Sequence, residues 1–209
     1  MEDILEIYKR PYDPEFPVVC MDEQPVQLVK DVREPLPARP GDPMRYDQHY
    51  ERAGTANIFM FTEPLGLWRR TSVTQRRTSI DWALQLRRLL EEDYADAVKV
   101  LLVCDNLNTH KIASFYEAFP PALARPLVER LEIHYTPKHG SWLNIAECEL
   151  SAMTRQCLSR RIGSAGVLQE EVKAWNLERN ASQIGTNWRF TAEDARIKLK
   201  SLYPQIQLE

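Results

Sequence analysis

Val98–Asn108, Val-Lys-Val-Leu-Leu-Val-Cys-Asp-Asn-Leu-Asn, is an almost unbroken apolar run that stops at a carboxylate and two amides. Short β-branched apolar runs of this kind form strands buried on both faces. Asp105 therefore falls at the carboxyl end of a central strand, the edge of an open α/β sheet where ligand crevices form. The pattern occurs once before. Phe16-Pro-Val-Val-Cys-Met-Asp22 is a second apolar run closed by an aspartate. If the two strands are parallel neighbours, Asp22 and Asp105 meet at one edge. Like charges forced together repel, and a divalent cation between them would remove the conflict.

The rest of the chain supplies the layers. Met1–Arg10 has helical periodicity, and Pro11, Pro14 and Pro17 end it. The first strand is expected over Val18–Asp22, with a short extended piece at Gln27–Val32. Glu34–Asp47 carries four prolines and Gly41, which excludes helix and central strand and predicts a long ordered loop. Gly54–Glu63 and Gly66–Thr74 flank Pro64-Leu65-Gly66 and predict an antiparallel hairpin. Thr78–Tyr94 carries Ile80, Trp82, Ala83, Leu86, Leu89 and Leu90 on one helical stripe. Helix is expected over Thr109–Ala118, with a further turn in Pro121–Leu131. Leu131–Thr136 alternates as a strand. After the turn Pro137–Ser141, helices are expected over Trp142–Arg161, Val167–Ala181 and Ala192–Leu202. Three antiparallel strands, then two strands each reached through a helix, predict a mixed α/β sheet with helices on both faces.

At 209 residues the chain suits one domain with an appendage. No run approaches the length of a membrane span, and the acidic start, Met-Glu-Asp-Ile-Leu-Glu, is no signal peptide. Cys20, Cys104, Cys148 and Cys157 form no CxxC pair, which favours reduced thiols in a cytoplasmic protein. A zinc set of His134, His139 and Cys148 lacks the usual spacing. The net charge of −3 is unlike that of a strongly basic nucleic-acid binder. Arginines nevertheless come in pairs, Arg69-Arg70, Arg76-Arg77, Arg87-Arg88 and Arg160-Arg161, and each pair is either a phosphate grip or a solvated face.

A third acid follows the last strand. Glu147 lies on the apolar stripe Leu143, Ala146, Leu150, Met153 and Cys157, whereas Glu149 lies about 200° away around the helix. An acid on a sheet-facing stripe is costly unless paired or metal-bound. Asp22, Asp105 and Glu147 can thus converge from two strand ends and one helix. Each has a plain alternative: a strand-end turn for Asp22, with Glu23 the neighbouring candidate; an Asx turn for Asp105; a salt-bridged helix residue for Glu147. Helix capping explains Asn108 or Thr109 equally well, and Trp142 is expected in the core rather than as a base-stacking surface.

Cys-Met-Asp-Glu at 20–23, Asp-Asn-Leu-Asn-Thr-His at 105–110 and Gly-Ser-Trp-Leu-Asn-Ile-Ala-Glu at 140–147 resemble the three catalytic blocks of a DDE transposase. The resemblance is to the bacterial IS630 group of the Tc1/mariner superfamily and covers nearly the whole chain. Ile145-Ala146 stands where the family's last block usually has Pro-Ile. The resemblance implies an RNase H-like fold, with a core over 17–162 between an N-terminal helix and linker, 1–16, and a C-terminal helical extension, 163–209. It implies a catalytic and metal-binding triad of Asp22, Asp105 and Glu147 holding two Mg²⁺ or Mn²⁺ ions. Asn108, His110, Lys138, His139 and Asn144 would support the site or contact DNA. The implied activity is cleavage and strand transfer on transposon ends and target DNA by a homodimer in the bacterial cytoplasm, at the nucleoid. Two other readings stand beside it: a nuclease that cuts without joining, and an inactive remnant serving as an interaction module. Full-length members carry an N-terminal helix-turn-helix region that has no counterpart here. The chain therefore reads as the second frame of a split gene or as a catalytic-domain fragment, with an upstream DNA-binding polypeptide as partner. The Glu34–Asp47 loop and the C-terminal helices are the candidate dimer contacts.

Overall fold

Alternation along the strands sorts the apolar residues onto two faces of one sheet. The computed structural model describes residues 1–203. Its five strands are β1 (Val18–Asp31), β2 (Tyr50–Glu63), β3 (Trp68–Thr74), β4 (Val100–Cys104) and β5 (Leu131–Tyr135), in the order β3-β2-β1-β4-β5. β1–β2 and β2–β3 are antiparallel, while β1–β4 and β4–β5 are parallel. Val19, Met21, Phe59, Phe61, Leu102 and Cys104 pack against α2 (Ser79–Arg88), α3 (Ala113–Ala118) and α4 (Pro121–Glu129). Cys20, Ile58, Met60 and Val103 face the opposite layer, built from α1 (Glu2–Tyr8), α5 (Ile145–Cys157), α6 (Ala165–Ala181) and α7 (Ala192–Lys198). This is the mixed five-stranded sheet with helices on both faces that the hydrophobic pattern predicts, an RNase H-like α/β architecture.

Several boundaries differ, each for a local reason. The two extended pieces expected at Val18–Asp22 and Gln27–Val32 are one fourteen-residue strand that runs through Pro25. β4 pairs with β1 only from Val18 to Cys20, so at Pro25 one edge of β1 carries no partner strand and proline is tolerated. Beyond the sheet, β1 and β2 continue as a two-stranded ribbon down to Asp31 and Tyr50. The proline-rich loop between them is pinned by the bridges Leu36–Arg45 and Arg39–Asp42, with Gly41 at a positive φ of 81°.

The α2 stripe buries Trp82, Ala83 and Leu86, but Ile80 in the first turn is 47% exposed. A capping box between Thr78 and Asp81 starts the helix, and a π-helical turn at Leu89–Asp93 ends it. α3 begins four residues later than expected, so neither Asn108 nor Thr109 caps it. The single turn expected after Pro121 is a nine-residue helix with that proline in its first turn. The helix expected from Trp142 opens with a 3₁₀ turn, Ser141–Leu143, before α5 starts at Ile145. Of the expected extension 163–209, residues 204–209 lie outside the described residues.

Candidate active site

The parallel register brings the first two acids together. Val18, Val19 and Cys20 pair with Leu101, Leu102 and Val103. Two residues further on come Asp22 and Asp105, and a step of two keeps both on the face of Cys20 and Val103, the face covered by α5. Asp22 is still held in β1 opposite Met60 of β2. Asp105 is the first residue past β4.

The third acid is delivered by the start of α5. Gly140 closes the preceding turn with its amide on Pro137 O at 2.8 Å. A β-carbon there would lie 2.6 Å from the Pro137 ring, so only glycine fits. Asn144 then caps α5, accepting from the Ala146 amide at 3.2 Å. Its Nδ2 donates to Met21 O at 2.8 Å. One buried side chain therefore ties the residue before Asp22 to the turn that carries Glu147. Asn144 acts from behind the site and is too buried to touch DNA.

Asp22 feels the other two carboxylates. Burial pushes the Asp22 carboxyl up to about 7, and the charges of Asp105, Glu147 and Glu23 push the same way, against a 2.7 Å hydrogen bond donated by the Glu23 amide to Oδ1. Among the described residues Glu147 makes no side-chain hydrogen bond or ion pair.

His110 occupies the other side of the edge. It is fully buried, stacked on Trp82 at 5.5 Å between centroids. Nε2 lies 2.9 Å from Glu23 Oε1, and Nδ1 lies 2.6 Å from Asp105 Oδ1 and 3.2 Å from the Asp105 carbonyl oxygen. Nδ1 is aligned on the carbonyl, which leaves Asp105 Oδ1 buried without a directed donor. Burial alone would lower the His110 pKa, but the contacts with Asp105, Cys104 and Glu23 outweigh it and lift it to about 12. The ring thus lies buried between two acids.

The remaining candidates lie on the surface. Asn108 is exposed and accepts from Lys111 at 3.4 Å. Lys138 and His139 are exposed in the turn before α5, His139 at a φ of +63°. The arginine pairs divide. Arg69 and Arg70 are internal, paired with Glu149 and Asp93. Arg87 and Arg88 bond Glu91 and Glu92 one turn along their helix, and Arg160 and Arg161 reach Glu171 and Asp31. Arg76 and Arg77 are exposed after β3, with Arg77 3.9 Å from Glu23. Trp142 is not core: it is 41% exposed and stacks on Trp188 at 6.3 Å. His134 bonds Asp3 and Glu132, apart from any zinc set, and all four cysteines are free thiols.

Three carboxylates, one with a buried oxygen lacking a directed donor, are the donor type a hard divalent cation takes. Among the described residues no group of three or more His, Cys, Asp or Glu side chains is arranged to hold a metal ion. No helix among them is long and apolar enough to cross a membrane.

Sheet order, mixed strand directions, and one acid within β1 beside another just past β4 place the protein in the RNase H-like class. The chain belongs to the DDE superfamily endonuclease family, which it matches over residues 17–169. Solved structures of similar fold include the Mos1 transposase paired-end complex with left transposon end, at TM-score 0.57 and 17% identity, covering 88% of this chain and 56% of that one. The Mos1 mariner paired end complex with Mn matches at TM-score 0.54 and 17% identity, covering 90% and 61%. The Mos1 strand transfer complex matches at 0.57 and 16%, covering 87% and 54%. At such identity the likeness is one of fold, and this chain spans 54–61% of those chains. No curated protein matches the sequence. The IS630-type, Tc1/mariner resemblance of the three motif blocks is thereby borne out.

Proposed function

We propose that this chain is the catalytic domain of a cut-and-paste DNA transposase, cleaving strands at transposon ends with water and joining a 3′-hydroxyl to target DNA. What supports the reading is the endonuclease family match together with the parallel register that sets Asp22 beside the end of β4, where Asp105 follows, and with Glu147 in the first turn of α5. Asp22, Asp105 and Glu147 would be the residues that hold Mg²⁺ or Mn²⁺, two ions on this reading. Bound there, the ions would activate the nucleophile and stabilise the leaving oxygen of an in-line displacement. Asn144 and His110 hold the acids from behind. Lys138 and His139 before α5, and Arg76–Arg77 after β3, are exposed side chains that would meet phosphates. On this reading 17–162 is the core, with 1–16 and 163–209 as additions. The net charge of −3 fits a catalytic piece whose DNA-reading surface lies in a helix-turn-helix partner, working as a homodimer in the bacterial cytoplasm at the nucleoid.

Mn²⁺ calorimetry on the parent and Asp105→Asn tests the site. Saturable binding lost in the variant, followed by metal-dependent nicking of a pre-cut duplex, is expected. Equal binding by both folded proteins, with and without that duplex, would refute the assignment and leave an interaction module. Nicking without joined products would leave a nuclease.

A further inference from the structure

Glu23 has no place in the three motif acids, yet its carboxylate is 2% exposed in the core of the fold. It follows Asp22 directly, so the strand's alternation sends its side chain to the opposite face, toward α2 and α3. There it meets His110 Nε2 at 2.9 Å. The imidazole is clamped on every side. Trp82 stacks on its plane with 21° between the rings, and Tyr135 Oη donates to the His110 carbonyl oxygen at 2.7 Å. Its other nitrogen reaches Asp105 twice, at the carbonyl oxygen and at Oδ1. A straight path therefore runs from one face of β1, through a buried ring, to the acid past β4. Rotating Asp105 away from the crowded edge would cost His110 its contact, and His110 cannot follow while Glu23 holds Nε2.

Resting on the transposase reading, we propose that Glu23 is a positioning residue: acting through His110, it fixes the backbone and carboxylate of Asp105 in the orientation that receives a divalent ion. Buried partners behind a metal-binding side chain set its geometry and strengthen its affinity. Glu23 touches neither ion nor DNA on this assignment. Its neighbour Asp22 and its indirect partner Asp105 do. Adjacent residues of one strand thus serve one site from its two faces.

Mn²⁺ calorimetry on the full chain tests this, with the parent, Asp105→Asn, Glu23→Ala and Glu23→Gln compared alongside their melting curves. Glu23→Ala is expected to weaken Mn²⁺ binding at least tenfold while the protein stays folded, and Glu23→Gln, which keeps an acceptor oxygen for Nε2, to stay within about threefold of the parent. That rescue is what a merely structural role would not produce. If Glu23→Ala does not fold, His110→Gln, whose single amide cannot bridge Glu23 and Asp105, takes its place with the same tenfold expectation. Parent binding that is lost in Asp105→Asn but kept in the folded Glu23→Ala or His110→Gln variant overturns this proposal alone. A parent that binds no Mn²⁺, with or without a pre-cut duplex, overturns the metal reading and this one with it.

Discussion

Helix α5 carries two glutamates, two residues apart, that the fold treats in opposite ways. Glu149 is 1% exposed and paired: Arg179 reaches both its oxygens at 2.9 and 3.0 Å, and Arg69 of β3, equally buried, stands 3.2 Å away. Asn180 completes the cluster by bonding the Arg69 backbone in both directions. Glu147 is half-buried beside other acids, with no cation of its own. The first arrangement joins α5, α6 and β3 into one layer. The second leaves carboxylate oxygens free for something from outside. Burial of charge is thus no mark of function by itself: Glu149 meets two arginines, while Glu147 meets no cation among the described residues.

Breaking the paired cluster should have the largest effect on stability. Glu149→Ala leaves Arg69 buried without its partner, and loss of one member of a buried pair costs about 3–5 kcal/mol. Urea unfolding of the variant should show a midpoint lowered accordingly. A change below about 1 kcal/mol would mean that water reaches the guanidinium and that the contrast between the two glutamates is weaker than drawn.

Asp22 should respond in the opposite direction. Its folded pKa lies near 7 against 3.8 for the free side chain. Between those values the native state keeps a proton that the unfolded chain has lost, so metal-free stability falls as pH rises from about 4 to 7 and levels off above. Asp22→Asn removes that dependence. At pH 8 the metal-free variant should be more stable by about 1–2 kcal/mol, read as a melting temperature a few degrees higher. Mg²⁺ should raise the parent's melting temperature and leave the variant's unchanged.

The contrast was only half legible in the sequence. Apolar runs closed by Asp22 and Asp105 located the sheet edge, because a continuous β-branched run has few other homes. The stripe through Leu143, Ala146, Leu150 and Met153 located α5 and the outlook of Glu147. Glu149, on another side of the same helix, reads as a surface residue until α6 is folded over it; its partners Arg69 and Arg179 are 80 and 30 residues away, and no local pattern links them. The same holds for Arg69-Arg70, which as a bare pair reads as a phosphate grip. Glu23 carried a signal that periodicity could have used: an acid at an inward position of a buried strand must have a partner, and His110 of the next motif, expected to support the site or contact DNA, was a candidate for it. Trp142 failed for a different reason, since an aromatic beside a glycine turn gives no hint of whether Trp188, some 46 residues later, will cover it.

The finest separation comes from making one substitution at both positions. Glu147→Gln and Glu149→Gln are nearly isosteric, sit two residues apart on one helix and remove one negative charge each. At Glu149 the change takes the counter-charge from two arginines. At Glu147 it takes a charge from among like charges and breaks no hydrogen bond or ion pair among the described residues. The expected change in unfolding free energy for Glu147→Gln is therefore within about 0.5 kcal/mol of zero, the smallest of the set. Its effect should fall instead on Mn²⁺ binding and on metal-dependent nicking, where an amide cannot replace a charged ligand. Urea titrations and Mn²⁺ calorimetry on the two variants would form a crossed pattern, one variant unstable and the other stable but metal-blind. A Glu147→Gln protein that binds Mn²⁺ like its parent would remove Glu147 from the proposed site and leave the two strand-end aspartates as its only acids.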